Sequence, residues 1–448
     1  RPPRSTLFPY TTLFRSSKYY CERVRTMERI TIKKFGPVKD IEFTLDRQYN
    51  VVIGEQATGK STLAKCIYFF KDVISEMENL IVRQPEKIIH SNANEILNMY
   101  YNQATNLFLA SFGNYNEIQN YEINFFYDTG KFAYIKKISN KLLFCYDSVT
   151  ESDIKDIIQE NLINVEEKTL NNMSFCAWRI NALFGSYTAR MFIPACRSRV
   201  TSGIGDSFSW RSTRSTDIYL NGMIDSITQY RFFSETFNEK KAVESYYLKK
   251  VFLNDLNIRF SEMKNLKKTI LKGEYQADNK EGKTWIKLNN NSLIPVEYGS
   301  SGQQESLWIL NFLTMIMYSA SSRFLIIEEP EAHLYPKAQF ELVKLIALVA
   351  NTTGSQIMIT THSPYILSAF NLLTYAGKVE KDQAEGLIAA SQRIAPQKLG
   401  AFKLEKGICR DIYDEAEGLI SSEEIDTASV EMNTLFDKLI DEECNEMR

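Results

Sequence analysis

The chain has no run of 18 consecutive apolar residues in its 448, so no membrane-crossing helix is expected. Its seven cysteines (Cys21, Cys66, Cys145, Cys176, Cys196, Cys409 and Cys444) include no C-x-x-C pair. An odd, scattered set argues against a zinc cluster or disulfide framework and suits a reduced cytoplasm. Histidine is scarce, with three in all. There is no N-K-x-D motif, heptad array, internal repeat or low-complexity linker, which argues against a guanine-reading site, long coiled-coil arms and a solenoid. Hydrophobic residues make up 44% and charged residues 24%, ordinary values for a globular protein.

Excess charge is also missing. Residues 6–16 read as the translation of a sequencing adapter, and no apolar targeting segment stands in 1–26, so the natural protein is expected to start at Met27. Without those 26 residues 47 basic side chains face 54 acidic ones, and a net charge near −7 gives no support for nucleic-acid binding.

What is present is more decisive. Gly54-Glu55-Gln56-Ala57-Thr58-Gly59-Lys60-Ser61-Thr62 fits G-x-x-x-x-G-K-[ST], a phosphate-binding loop. Glycines let the backbone curl its N–H groups toward phosphate oxygens, Lys60 adds a positive charge, and the Ser61 hydroxyl can ligate Mg²⁺. An apolar strand over 50–53 precedes the loop. A helix from Thr62 follows, and its N-terminus favours anions.

Beyond Met27 the pattern is strand-rich to Ile53, helical over about 60–108, a meander from Tyr121 to Tyr146 with turns at Thr129-Gly130 and Asn140-Lys141, and helical over 151–185. A short apolar segment at Met191–Ala195 leads into an arginine-rich loop, then one or two amphipathic helices over 216–265. A strand pair is expected at Thr269–Tyr275 and Thr284–Leu288, and the chain ends in an acidic stretch, Asp411–Glu446, with helical spacing in its last part.

Three later segments complete the expected site. Phe324–Pro330 is an apolar strand ending in two carboxylates; beside a phosphate loop, Glu328 is assigned to Mg²⁺ and Glu329 to the attacking water. Ile357–Pro364 is another apolar strand, ending in Thr361-His362, where an imidazole can hydrogen-bond the γ-phosphate or the water. Tyr298-Gly299-Ser300-Ser301-Gly302-Gln303-Gln304-Glu305 opens an apolar helix. That start is either a phosphate-facing helix end or a capped one.

The order of phosphate loop, S-G-Q-Q, hydrophobic-E-E-P and T-H-S-P resembles the ABC-type ATPase superfamily, in the branch of RecF-like, structural-maintenance-of-chromosomes-like and overcoming-lysogenisation-defect ATPases. It is most similar to the AAA-family antiphage defence ATPases of Septu and retron systems. The matching motifs cover roughly 30–70 and 295–365.

The resemblance implies an α/β head: a mixed central sheet with an antiparallel β subdomain, and a helical insertion between the phosphate loop and the signature. Its expected parts are the non-native extension 1–26, the first half of the head at 27–150, a mainly helical insertion at 151–265, the second half at 266–376 and an acidic segment at 377–448. It also implies a head-to-tail homodimer, or a higher oligomer, with ATP and Mg²⁺ between heads. Ser301, Gly302 and Gln303 of one chain would touch the γ-phosphate held by Lys60 of the other, and Glu331–Leu334 resembles the D-loop that crosses the seam.

The chain departs from the family pattern in three places. Glu328 stands where Asp is usual, Gln303 where transporters have Gly, and no Q-loop glutamine is placed. Arg197 and Arg199 either take that role or form an exposed basic loop.

No TOPRIM nuclease pattern follows His362, so a nuclease is expected in a partner rather than in this chain. Two functions remain open. One is an ATPase that gates a partner effector, such as an antiphage nuclease encoded nearby. The other is a RecF-like DNA clamp whose phosphate contacts come from Arg197, Arg199, Arg211, Arg214 and lysines 240, 241, 249, 250, 264, 267 and 268.

Overall fold

The computed structural model describes residues 27–421 except 114–119, 140, 166–168, 186–188, 202–216, 250–254, 279–282, 381–383 and 385, and describes residue 425. The 1–26 extension, Asn140 of the second meander turn, Arg211, Arg214, Lys250 and the acidic tail beyond 421 (residue 425 apart) lie outside the described residues.

Strands β1 (Arg29–Phe35), β2 (Val38–Thr44) and β3 (Tyr49–Ile53) come first, then the meander β4 (Tyr121–Phe126), β5 (Phe132–Ile138) and β6 (Lys141–Tyr146). Strand β7 (Ala189–Ile193) precedes a small sheet of β8 (Gly273–Asp278), β9 (Lys283–Leu288) and β10 (Leu293–Pro295). Last come β11 (Arg323–Glu328), β12 (Gln356–Thr361), β13 (Leu399–Glu405) and β14 (Ile408–Asp411).

Among the described residues the main sheet has 11 strands in the order β6-β5-β4-β1-β2-β14-β13-β3-β12-β11-β7. From β13 to β7 all neighbours run parallel, whereas β2, β1, β4, β5 and β6 are antiparallel. The fold is α/β with a mixed sheet, as expected, and its antiparallel strands continue the same sheet.

Parallel strands are covered on both faces, so each must be apolar throughout. In β11, Leu325 and Ile327 enter one core while Phe324 and Ile326 enter the other. The second core receives α1 (Lys60–Arg83), with short α2 (Pro85–Ile88) after it, α3 (Ala93–Phe112), α4 (Ser148–Ile158) and α5 (Leu170–Leu183). The first core receives short α6 (Ser198–Thr201), α7 (Ile218–Thr236), α8 (Glu239–Leu248), α9 (Leu256–Leu271), α10 (Ser301–Ser319), α11 (Pro336–Thr353) and α12 (Pro364–Lys378). Helix α10 is buried on every side from Glu305 to Met317, which explains its lack of a polar face.

Two expectations are corrected. Thr269–Leu271 is helical, because Met263, Leu266 and Ile270 carry the buried spacing of α9 to Lys272, where the backbone turns left-handed. The region 216–265 holds three helices rather than one or two. The stretch after 377, for which the sequence suggested no element before its acidic end, supplies β13 and β14, and β13 pairs with the strand that carries the phosphate loop.

Candidate functional site

Strands β3, β12 and β11 lie side by side and parallel, so their carboxyl ends bring residues 54–62, 361–363 and 328–331 to one edge of the sheet. Loops at the carboxyl ends of parallel strands are where α/β folds bind ligands.

The loop Gly54–Gly59 is shaped by close approach. A Cβ on Gly54 would sit 2.3 Å from the Leu404 carbonyl oxygen of β13, and Gly59 has φ 105°, which a side chain resists. Lys60 is buried. Its Nζ donates to the carbonyls of Gly54 at 2.7 Å and Glu55 at 2.6 Å, and stands 3.3 Å from His362 Nδ1. Burial lowers its pKa to about 8, against the pull of Glu329, Glu331, Glu328 and Glu55. Beyond Nδ1, His362 Nε2 lies 2.9 Å from Glu329 Oε1. An ammonium only donates, so Nδ1 accepts and Nε2 carries the hydrogen that Glu329 receives.

Glu328 is buried, and burial raises its pKa, with Ser61 drawing it back down. Its Oε2 accepts from the Ala195 N–H at 3.3 Å, whereas Oε1 has no hydrogen-bond partner among the described residues. An orphaned buried carboxylate oxygen beside a serine hydroxyl fits a hard divalent cation. Ser61 and Glu328 would hold Mg²⁺, which would supply charge against the phosphate oxygens. Glu331, also raised by burial, accepts from Thr361 Oγ1 and the His362 N–H, both at 2.7 Å, and so clamps the histidine loop. That clamping role was not read from the sequence.

Helix α10 starts close by. Its cap is Ser300, in a capping box with Gln303. Gln303 Oε1 accepts from the Ser300 N–H at 2.9 Å, and Nε2 donates to the Leu271 carbonyl at 2.9 Å. The side chain expected to meet a phosphate is therefore engaged in the cap. Ser301 is exposed and forms no side-chain hydrogen bond among the described residues. Gly302 packs on the Glu331–Leu334 segment, where a Cβ would lie 2.7 Å from the His333 carbonyl oxygen. Gly302→Ala is expected to cost about 1–3 kcal/mol, read as a lowered Tm, because backbone cannot give way there. An unchanged Tm would refute this contact.

Arg197 contradicts both sequence readings. It is neither exposed nor turned to a nucleotide: it is 0% exposed and its guanidinium bonds protein carbonyls. Arg199 is exposed.

The AAA ATPase domain family matches residues 27–192 and 213–367, well over half of the chain. The chain belongs to this family. No curated protein matches this AAA ATPase. Solved structures similar to it include an Smc head bound to the C-terminal winged-helix domain of ScpA (11% identity, 86% of this chain and 96% of that one, TM-score 0.42). The SMC head domain of Thermotoga maritima has 11% identity over 86% and 98%, with a TM-score of 0.36. RecF of the RecFOR pathway has 10% identity over 86% and 98%, with a TM-score of 0.31. At such scores the likeness carries no functional weight, and the reading rests on the family and the site.

Proposed function

We propose that this AAA ATPase binds ATP and Mg²⁺ on residues 54–62 and Glu328, hydrolyses ATP with Glu329 as the base for water, and does so in a head-to-tail dimer that gates a partner effector. The observation that carries the hydrolytic reading is the chain Lys60–His362–Glu329, which links the phosphate-holding cation to a carboxylate through one imidazole. His362 would hold Glu329 in place and report on the γ-phosphate once Lys60 turns from the loop carbonyls to the nucleotide.

The dimer is supported by what surrounds Ser301. Tyr298 is 77% exposed and Tyr335 78% exposed, and they lie within four residues in sequence of Gly302 and His333, which are in contact. Exposed tyrosines of this kind suit an interface. Gating is favoured over a DNA clamp by the state of the basic residues. Arg197 is buried; Lys249 donates to the carbonyls of Ser319 and Ala320, Lys267 bonds Thr314, and Lys264 and Lys268 pair with Glu239 and Glu274. The motif resemblance to defence ATPases points to a nuclease as the effector.

The composite site is tested by Ser301→Arg, which should leave nucleotide affinity unchanged and abolish turnover. Mixing that variant with Lys60→Ala should restore turnover, since one site of each mixed dimer has both halves intact. Full turnover by Ser301→Arg alone would sink the shared site, and so would no recovery on mixing.

A further inference from the structure

Arg197 sits in the turn between β7 and α6 with its donors directed at three separate segments. Nη1 donates to the carbonyls of Pro194 at 2.8 Å and Glu328 at 2.6 Å, Nη2 to that of Glu329 at 2.8 Å, and Nε to that of Glu305 at 2.8 Å. Glu305 returns the contact: its carboxylate accepts from the backbone N–H groups of Arg197 and Ser198, each at 3.0 Å, and lies 3.4 Å from Arg197 Nε. Apolar residues of similar volume often stabilise a fold as well as a buried ion pair does, so stability alone is a poor reason to place this one here.

The second observation is at Glu329. Its φ is 43°, left-handed for a residue with a side chain. Such a conformation persists only when the surroundings over-determine it. Its N–H donates to the Thr360 carbonyl at 2.8 Å, and its own carbonyl is held by Arg197. Both ends of the residue are pinned, which aims the carboxylate at His362.

We infer that Arg197 is a positioning residue for ATP hydrolysis: it holds Glu329 in its left-handed conformation and, through Glu305, ties that geometry to the first turns of α10 behind Ser301 and Gly302. The inference rests on the reading of Glu329 as the water-activating group. The fork of the guanidinium is what the position requires, because a lysine ammonium cannot span the carbonyls of Glu305, Glu328 and Glu329 in one plane.

The test uses the full chain with Arg197→Lys, Glu305→Gln and Glu329→Gln, alone and combined. Arg197→Lys should lower kcat about a hundredfold, the scale of a misplaced catalytic group, while the Kd for a fluorescent ATP analogue stays within about threefold. Glu305→Gln should lower kcat by about tenfold with the same split. Without nucleotide, peptides covering 328–334 should exchange amide hydrogens faster in Arg197→Lys than in the wild type. Adding Arg197→Lys to Glu329→Gln should cause no further loss, since the group being positioned is already gone.

Unchanged kcat in Arg197→Lys overturns the inference, as do multiplying losses in the combined variant, or nucleotide affinity and Tm falling in step with kcat. If Arg197→Lys does not fold, Glu305→Gln decides by the same criteria. Wild-type turnover by Glu329→Gln would instead remove the reading beneath the inference, and that result is distinct from the other failures.

Discussion

Glu329→Gln should bind ATP as the wild type does and turn it over about a hundred- to ten-thousandfold more slowly, the range for loss of a general base. The substitution is nearly isosteric, and the amide oxygen can still accept from His362 Nε2, where Glu329 Oε1 now stands at 2.9 Å. The hydrogen-bond chain to Lys60 therefore survives while the charge and the basicity go. Nucleotide-loaded dimers should accumulate, visible as a larger species in size-exclusion chromatography with ATP. Single-turnover measurement with labelled ATP separates chemistry from release. Turnover at the wild-type rate would remove Glu329 from its role.

Lys60→Ala should abolish measurable nucleotide binding, a loss of at least about a hundredfold, since each hydrogen bond to a charged group contributes about 1.5–3 kcal/mol. The effect is enlarged by what Lys60 balances. Glu329, Glu331, Glu328 and Glu55 all act on it electrostatically, so without it a triphosphate would meet these carboxylates with less positive charge to offset them. Titration calorimetry on the folded variant, with circular dichroism as the check on folding, reads the loss directly. Retained affinity would show that the loop's N–H groups alone hold the phosphates.

Much of this site was legible in the sequence because its parts sit at the ends of apolar strands. Asn50–Ile53, Phe324–Ile327 and Ile357–Ile359 each read as buried strands, and chemistry-bearing residues follow each one directly. The parallel order of those strands brings them to one edge, so a local pattern placed a non-local site. What escaped was set by distant partners. An arginine in a basic-looking loop gives no sign of burial by itself, and Glu305, its partner, lies 108 residues on. The one available signal was an acid entering a helix that is otherwise apolar. Strands β13 and β14 escaped similarly: Leu399–Glu405 includes Gly400, Lys403 and Glu405, and its role as a sheet strand is evident only beside β3. The cap at Gln303 was one of two readings of that helix start, whereas its bond to the end of α9 had no local signal.

The position of β3 has a consequence for how the protein is made. Both its neighbours, β12 and β13, come about 300 residues or more after it, and Leu404 of β13 is the wall against which Gly54 rests. During synthesis the loop that would grip a triphosphate emerges about 300 to 350 residues before its flanking strands and the carbonyl that shapes it. Long-range pairing of this kind is slow to close. The candidate edge thus forms well after its own loop has been made, and a ribosome-bound fragment that ends before β12 carries the nucleotide motif without the scaffold to use it.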